Sequence, residues 1–65
     1  MKSKLYNVYF NAIKDREVIY LMYSVYAYSA YEAREIARRI ILEKLGLKPY
    51  GIKFIHIEMV AVNEE

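Results

Sequence analysis

Sixty-five residues with a net charge of +2, from ten Lys and Arg against eight Asp and Glu, are read as one domain, 1–65, whose mixed surface is not that of a strong polyanion binder. Cysteine is absent and His56 is the lone histidine, which excludes disulfides, thiolate metal centres and histidine clusters, so neither metal nor cofactor is expected. The 57% hydrophobic content is high for a domain able to bury only about 60% of its unfolded surface, and such domains lean on an efficient core or on self-association.

"LYNVYFNAI" (5–13) alternates with period two, and "VIYLMYSVYAY" (18–28) is rich in aromatic and β-branched residues. Around the polar tip "KDRE" (14–17) they read as a β-hairpin. A two-residue loop at Asp15-Arg16 and a four-residue loop at 14–17 give the same register. Ala12 faces Ile19, Phe10 faces Leu21, Val8 faces Tyr23 and Tyr6 faces Val25, all on one inner face. The apolar run 18–31 is too short to span a bilayer, and the first residues lack a signal-peptide core, so a cytoplasmic, non-membrane protein is expected. Gln, Thr, Cys and Trp are missing while Ile, Lys, Glu and Tyr abound, a thermophile-like bias.

Ser29-Ala30-Tyr31-Glu32 fits a capping box, with Ser29 accepting from the Glu32 N–H and the Glu32 side chain reaching back to the Ser29 N–H. The helix should run to Leu45, with Gly46 as its left-handed cap. Ala30, Ala33, Ala37, Ile40 and Ile41 form an apolar stripe, with Ile36 at its edge. The wet side holds Glu35, Arg38, Arg39 and Glu43, with i,i+4 pairs Glu35–Arg39 and Arg39–Glu43, and Leu42 as a lone apolar residue.

"GLKPYG" (46–51) reads as a loop and "IKFIHIEMVAV" (52–62) as a third strand. Strict alternation puts Ile55, Ile57, Met59 and Ala61 on the inner face, and Ile52, Phe54, His56, Glu58, Val60 and Val62 on the outer one. Lys53 then points inward. The fold class is α+β, a ββαβ chain with a three-stranded, mainly antiparallel sheet and one helix on one face. A right-handed crossover favours strand order 2-1-3, which pairs strand three antiparallel to strand one; order 1-2-3 is the alternative.

One helix covers one sheet face. The other holds Leu5, Asn7, Tyr9, Asn11 and Ile13 of strand one with Val18, Tyr20, Met22, Ser24, Tyr26 and Tyr28 of strand two. Exposed together, these exceed the apolar patch a monomer normally shows. Tyr9, Tyr20, Met22, Tyr26, Tyr28, Phe54 and His56 are therefore the expected interface with a second copy or another protein. No catalytic constellation is present. His56 and Glu58 share a face but lack a nucleophile and an enclosing pocket, so no enzyme is expected. A second class, RNA or DNA binding, would use the basic helix edge of Arg34, Arg38, Arg39, Lys44 and Lys48, although Glu32, Glu35 and Glu43 interleave with it.

"VYAYSAYEAREI…EKLG" followed by "IKFIHIEMV" is similar in layout to the archaeal large-subunit ribosomal protein LX, over roughly residues 25–60. In that family a strand, an "A…EA.E" helix start, a helix-ending Gly and a closing "I.I..I" strand recur. The resemblance implies rRNA contact by a basic segment after the helix-ending Gly. Here that segment, Gly46–Lys53, has only Lys48 and Lys53, with Pro49-Tyr50 between.

Overall fold

A computed structural model describes residues 2–62. Strands β1 (Lys4–Lys14) and β2 (Glu17–Ala27) are followed by helix α1 (Ala30–Leu45), a single 3₁₀ turn (Pro49–Gly51) and strand β3 (Ile52–Val62). The sheet has order β2-β1-β3 with both pairings antiparallel. This is the expected ββαβ, α+β arrangement with order 2-1-3. Strand β1, first in the chain, is central, and among the described residues β2 and β3 both present a free edge.

The hairpin closes over two residues. Lys14 stands opposite Glu17, and Asp15 and Arg16 both have positive φ, 52° and 66°, as a type I′ turn demands. The twist of that turn matches the strands, so the register runs uninterrupted from Lys14–Glu17 to Lys4–Ala27, with Ala12–Ile19, Phe10–Leu21, Val8–Tyr23 and Tyr6–Val25 as expected. β2 ends at Ala27, so Tyr28 lies outside the strand.

Ser29 caps α1 by accepting from the Glu32 N–H at 3.1 Å. The return half of the box is shifted: Glu32 accepts from the Tyr28 N–H at 3.0 Å, not from Ser29. At the other end Gly46 has φ 63°, and the Leu47 N–H donates to the Leu42 carbonyl at 3.1 Å, the six-to-one bond of a Schellman motif. Leu42 is half-buried and lines a shallow groove with Leu47 and Pro49, so it is not alone on the wet side.

The core lies between α1 and the inner sheet face. Val8, Phe10 and Tyr6 of β1 meet Val25 and Ala27 of β2 and Ala33, Ala37 and Ile41 of α1. Two alanines on the buried row let the helix axis approach the sheet closely. Ala30 is exposed and Ile40 half-buried outside this cluster. The buried row runs in steps of four through 33, 37 and 41, and Ile40 is turned about 100° from Ile41.

β3 departs from strict alternation. Its register on β1 shifts twice, between Phe10–Phe54 and Tyr9–His56, and again between Tyr6–Met59 and Leu5–Ala61. Ile55 and Val60 are the extra residues, two against one on the partner strand, as in a β-bulge. Each bulge reverses the parity of what lies beyond it. Phe54 consequently joins the inner face, where its ring meets Phe10 edge-on at 6.0 Å. Ile52 packs there as well, and Lys53 pairs with Asn11 on the outer side. Ile55, expected inside, is exposed. Ala61 stands opposite Leu5 and Val62 opposite Lys4, the reverse of the simple alternation.

A candidate interaction surface on the outer sheet face

Three strands supply the outer face in rows. Val18 stands beside Ile13, and Tyr20 beside Asn11 and Lys53. Met22, Tyr9 and His56 form the next row, then Ser24, Asn7 and Glu58, then Tyr26, Leu5 and Ala61. No element among the described residues lies over these rows: α1 packs on the opposite face.

The face is divided lengthwise. On the β2 side Val18, Tyr20, Met22 and Tyr26 are 57%, 78%, 51% and 61% exposed. Ile13 beside the turn and Tyr28 past the end of β2 are also exposed. The β3 side is polar, with Lys53, His56 and Glu58. Of the expected interface set, Tyr20, Met22 and Tyr26 are thus brought together on one strip. Tyr9 is half-buried, its ring 5.7 Å from that of His56, on the polar half. Tyr28 flanks the strip. Phe54 leaves the set, because the bulge at Ile55 turns it into the core. Ile13 and Val18 extend the strip beyond the expected set; their alternation with Ala12 and Ile19 was the signal for it.

A hydrogen-bond chain crosses the middle of the face. Ser24 donates to the Asn7 Oδ1, Asn7 Nδ2 donates to Glu58 at 3.4 Å, and the Tyr9 hydroxyl donates to the same Glu58 oxygen at 2.7 Å. Those bonds, from Tyr9 first and then Asn7, hold the Glu58 carboxyl below its ordinary range. The same bond to Glu58 is the leading cause that raises the Tyr9 hydroxyl above its usual value, with desolvation and the carboxylate charge adding to it. One row away, Asn11 Oδ1 is buried and lacks a hydrogen-bond partner among the described residues. The described residues contain no cluster of three or more potential metal ligands.

The basic helix residues do not form one patch. Arg34 lies over the Phe54 ring at 4.6 Å, on the β3 flank of α1, and is 3.9 Å from Glu35. Lys44 lies on the other flank, 5.4 Å from the Tyr23 ring of β2. Arg38 and Arg39 border the Leu42–Leu47 groove together with Glu35 and Glu43, and the expected Glu35–Arg39 and Arg39–Glu43 pairs are not formed. Lys48 is exposed ahead of the 3₁₀ turn. Among the described residues no helix is long and apolar enough to cross a membrane. No family model, curated protein or solved structure matches the chain, and what this surface can do follows from its geometry.

Proposed function

We propose that this protein is a small, non-enzymatic cytoplasmic interaction module that associates with copies of itself through the outer sheet face, on the β2 side. The observation that carries this reading is the strip Ile13, Val18, Tyr20, Met22 and Tyr26, every member of it more than half exposed. A fold this small loses much of its apolar burial by leaving that strip in water, and each Å² covered contributes about 25 cal/mol. Tyrosine suits an interface that forms and dissolves in water, since its ring is apolar and its hydroxyl keeps a hydrogen bond.

The test is mass in solution by light scattering across a concentration series. The wild type should be larger than one 7.8 kDa chain at micromolar concentration. Tyr20→Lys with Tyr26→Lys should shift it towards one chain while the far-ultraviolet spectrum is unchanged. A wild type that stays monomeric at high micromolar concentration overturns the reading.

A further inference from the structure

The two free edges of the sheet differ in kind. β3 is interrupted by two register shifts against β1 and carries Lys53, His56 and Glu58. Bulges and charges are the devices by which proteins blunt an edge against pairing. β2 has neither. Its pairing with β1 is unbroken over eleven residues, it contains no proline, and Glu17 at its first position is its only charged residue.

The turn also dictates which backbone groups the β2 edge offers. Lys14 and Glu17 close a two-residue loop, so they form a hydrogen-bonded pair, and alternate residues from Glu17 onward bond to β1. The N–H and C=O groups of Val18, Tyr20, Met22, Ser24 and Tyr26 then point away from β1 along the open edge. These are the residues whose side chains make the exposed strip. Nine residues, 18–26, offer an edge roughly 30 Å long at about 3.3 Å per residue.

We infer that the β2 edge pairs antiparallel with the β2 edge of a second copy, around a two-fold axis at Met22, joining two sheets into one of six strands. This rests on the reading of the chain as self-associating and names how the copies meet. Greatest overlap places Met22 opposite its own counterpart, Tyr20 opposite Ser24 and Val18 opposite Tyr26. No charge meets a like charge along the strand, since Glu17 falls opposite Ala27. The pairing forms about ten main-chain hydrogen bonds, two per bonded pair, which is what a stable interface typically carries in full. A two-fold axis normal to the sheet keeps the outer faces on one side, so the two apolar strips fuse into one. On the other side each copy brings a groove of about 140 Å³ lined by Leu21, Met22, Tyr23, Ile41, Lys44 and Leu45 to the junction. Lys44 is the one charge there, and its stem over Tyr23 leaves the ammonium free to turn to solvent.

Proline at Met22 removes an N–H that β1 does not use, and an edge strand tolerates it there. Met22→Pro should therefore halve the mass of the assembly while the circular dichroism of the sheet persists. Amide hydrogen exchange on the wild type gives an independent reading. The Tyr20, Met22 and Ser24 amides should be protected at least tenfold more in a concentrated sample than in one diluted to monomer. If Met22→Pro does not fold, those amides decide the matter alone. Exchange that is equally fast in both samples, or an undiminished mass for a folded Met22→Pro, overturns edge pairing and leaves face-to-face association standing. A monomeric wild type overturns both.

Discussion

Tyr9 donates its hydroxyl to Glu58 at 2.7 Å, reaching diagonally past its own register partner His56 to a residue that stands opposite Asn7. This bond ties the central strand to β3 on the face that lacks a helix. It also links two titrating groups in opposite directions. Glu58 is held low by donated hydrogen bonds, so its contribution to stability is present above the unfolded carboxylate range and is lost as pH falls through its lowered value. Tyr9 is raised, so its contribution is present below the ordinary phenol range and is lost as pH rises through its raised value. Tyr9→Phe should move the Glu58 titration midpoint, followed by carboxyl NMR, back towards that of a free glutamate. A midpoint unaffected by the substitution would remove the bond as the cause.

The helix cap predicts a measurable loss. Ser29→Ala leaves the Glu32 N–H without its acceptor and should cost about 0.5–2 kcal/mol. The denaturant midpoint should fall with an unchanged slope. Glu32→Gln should cost less, because an amide oxygen still accepts from Tyr28.

At the hairpin tip Arg16 holds φ 66°, a region that costs a side chain with Cβ about 1 kcal/mol or more. Arg16→Gly restores an Asp-Gly type I′ turn and should raise stability by about 1 kcal/mol, less the added freedom of the unfolded chain. A lowered thermal midpoint would contradict the turn assignment.

The bulge at Ile55 makes a deletion informative. Ile55→Ala keeps the strand length and alters an exposed side chain, so its effect should stay within about 0.5 kcal/mol. Deleting Ile55 removes the extra residue and leaves a strictly alternating strand, with Ile52 and Phe54 still inside and Lys53 and His56 still outside, so the variant should fold with the same core. Chemical denaturation checks this: a deletion variant without a cooperative transition would contradict the bulge assignment.

Replacing Arg34, Arg38 and Arg39 by Gln tests the nucleic-acid alternative. Arg38 and Arg39 should contribute little to the fold. Arg34 should account for most of any loss, about 0.5–1 kcal/mol from its position over Phe54. If the wild type retains an RNA or DNA oligonucleotide in a salt-sensitive manner and the triple variant does not, the module is a nucleic-acid binder.

The hairpin and helix were legible because each has a local device that sets parity or phase. The even loop between Ile13 and Val18 fixes every pair from Ala12–Ile19 to Tyr6–Val25, and Ser29 with Gly46 brackets α1. β3 was legible as a strand and not in its faces. Ile55 and Val60 are β-branched and apolar, like the residues of a regular strand, so nothing in their identity announces a bulge. That hid both the inward turn of Phe54 and the outward turn of Lys53. Of the candidate surface, alternation in β2 was enough to place Tyr20, Met22 and Tyr26. The separation of Arg34 from Lys44 was not readable, because it depends on which side of the helix meets which edge strand.

β1 is bonded along both sides, yet its two neighbours are reached by very different lengths of chain. β2 returns over two residues, whereas the pairing of Phe10 with Phe54 spans most of the sequence and must bear the closure entropy of everything between. The two seams of the sheet are thus unequal in the order of assembly. The hairpin should zip locally and early, with β3 docking after α1 has formed. Unfolding should retrace that order, beginning as a peeling of the last strand with the hairpin still closed, and the amides of β3 should exchange ahead of those that join β1 to β2.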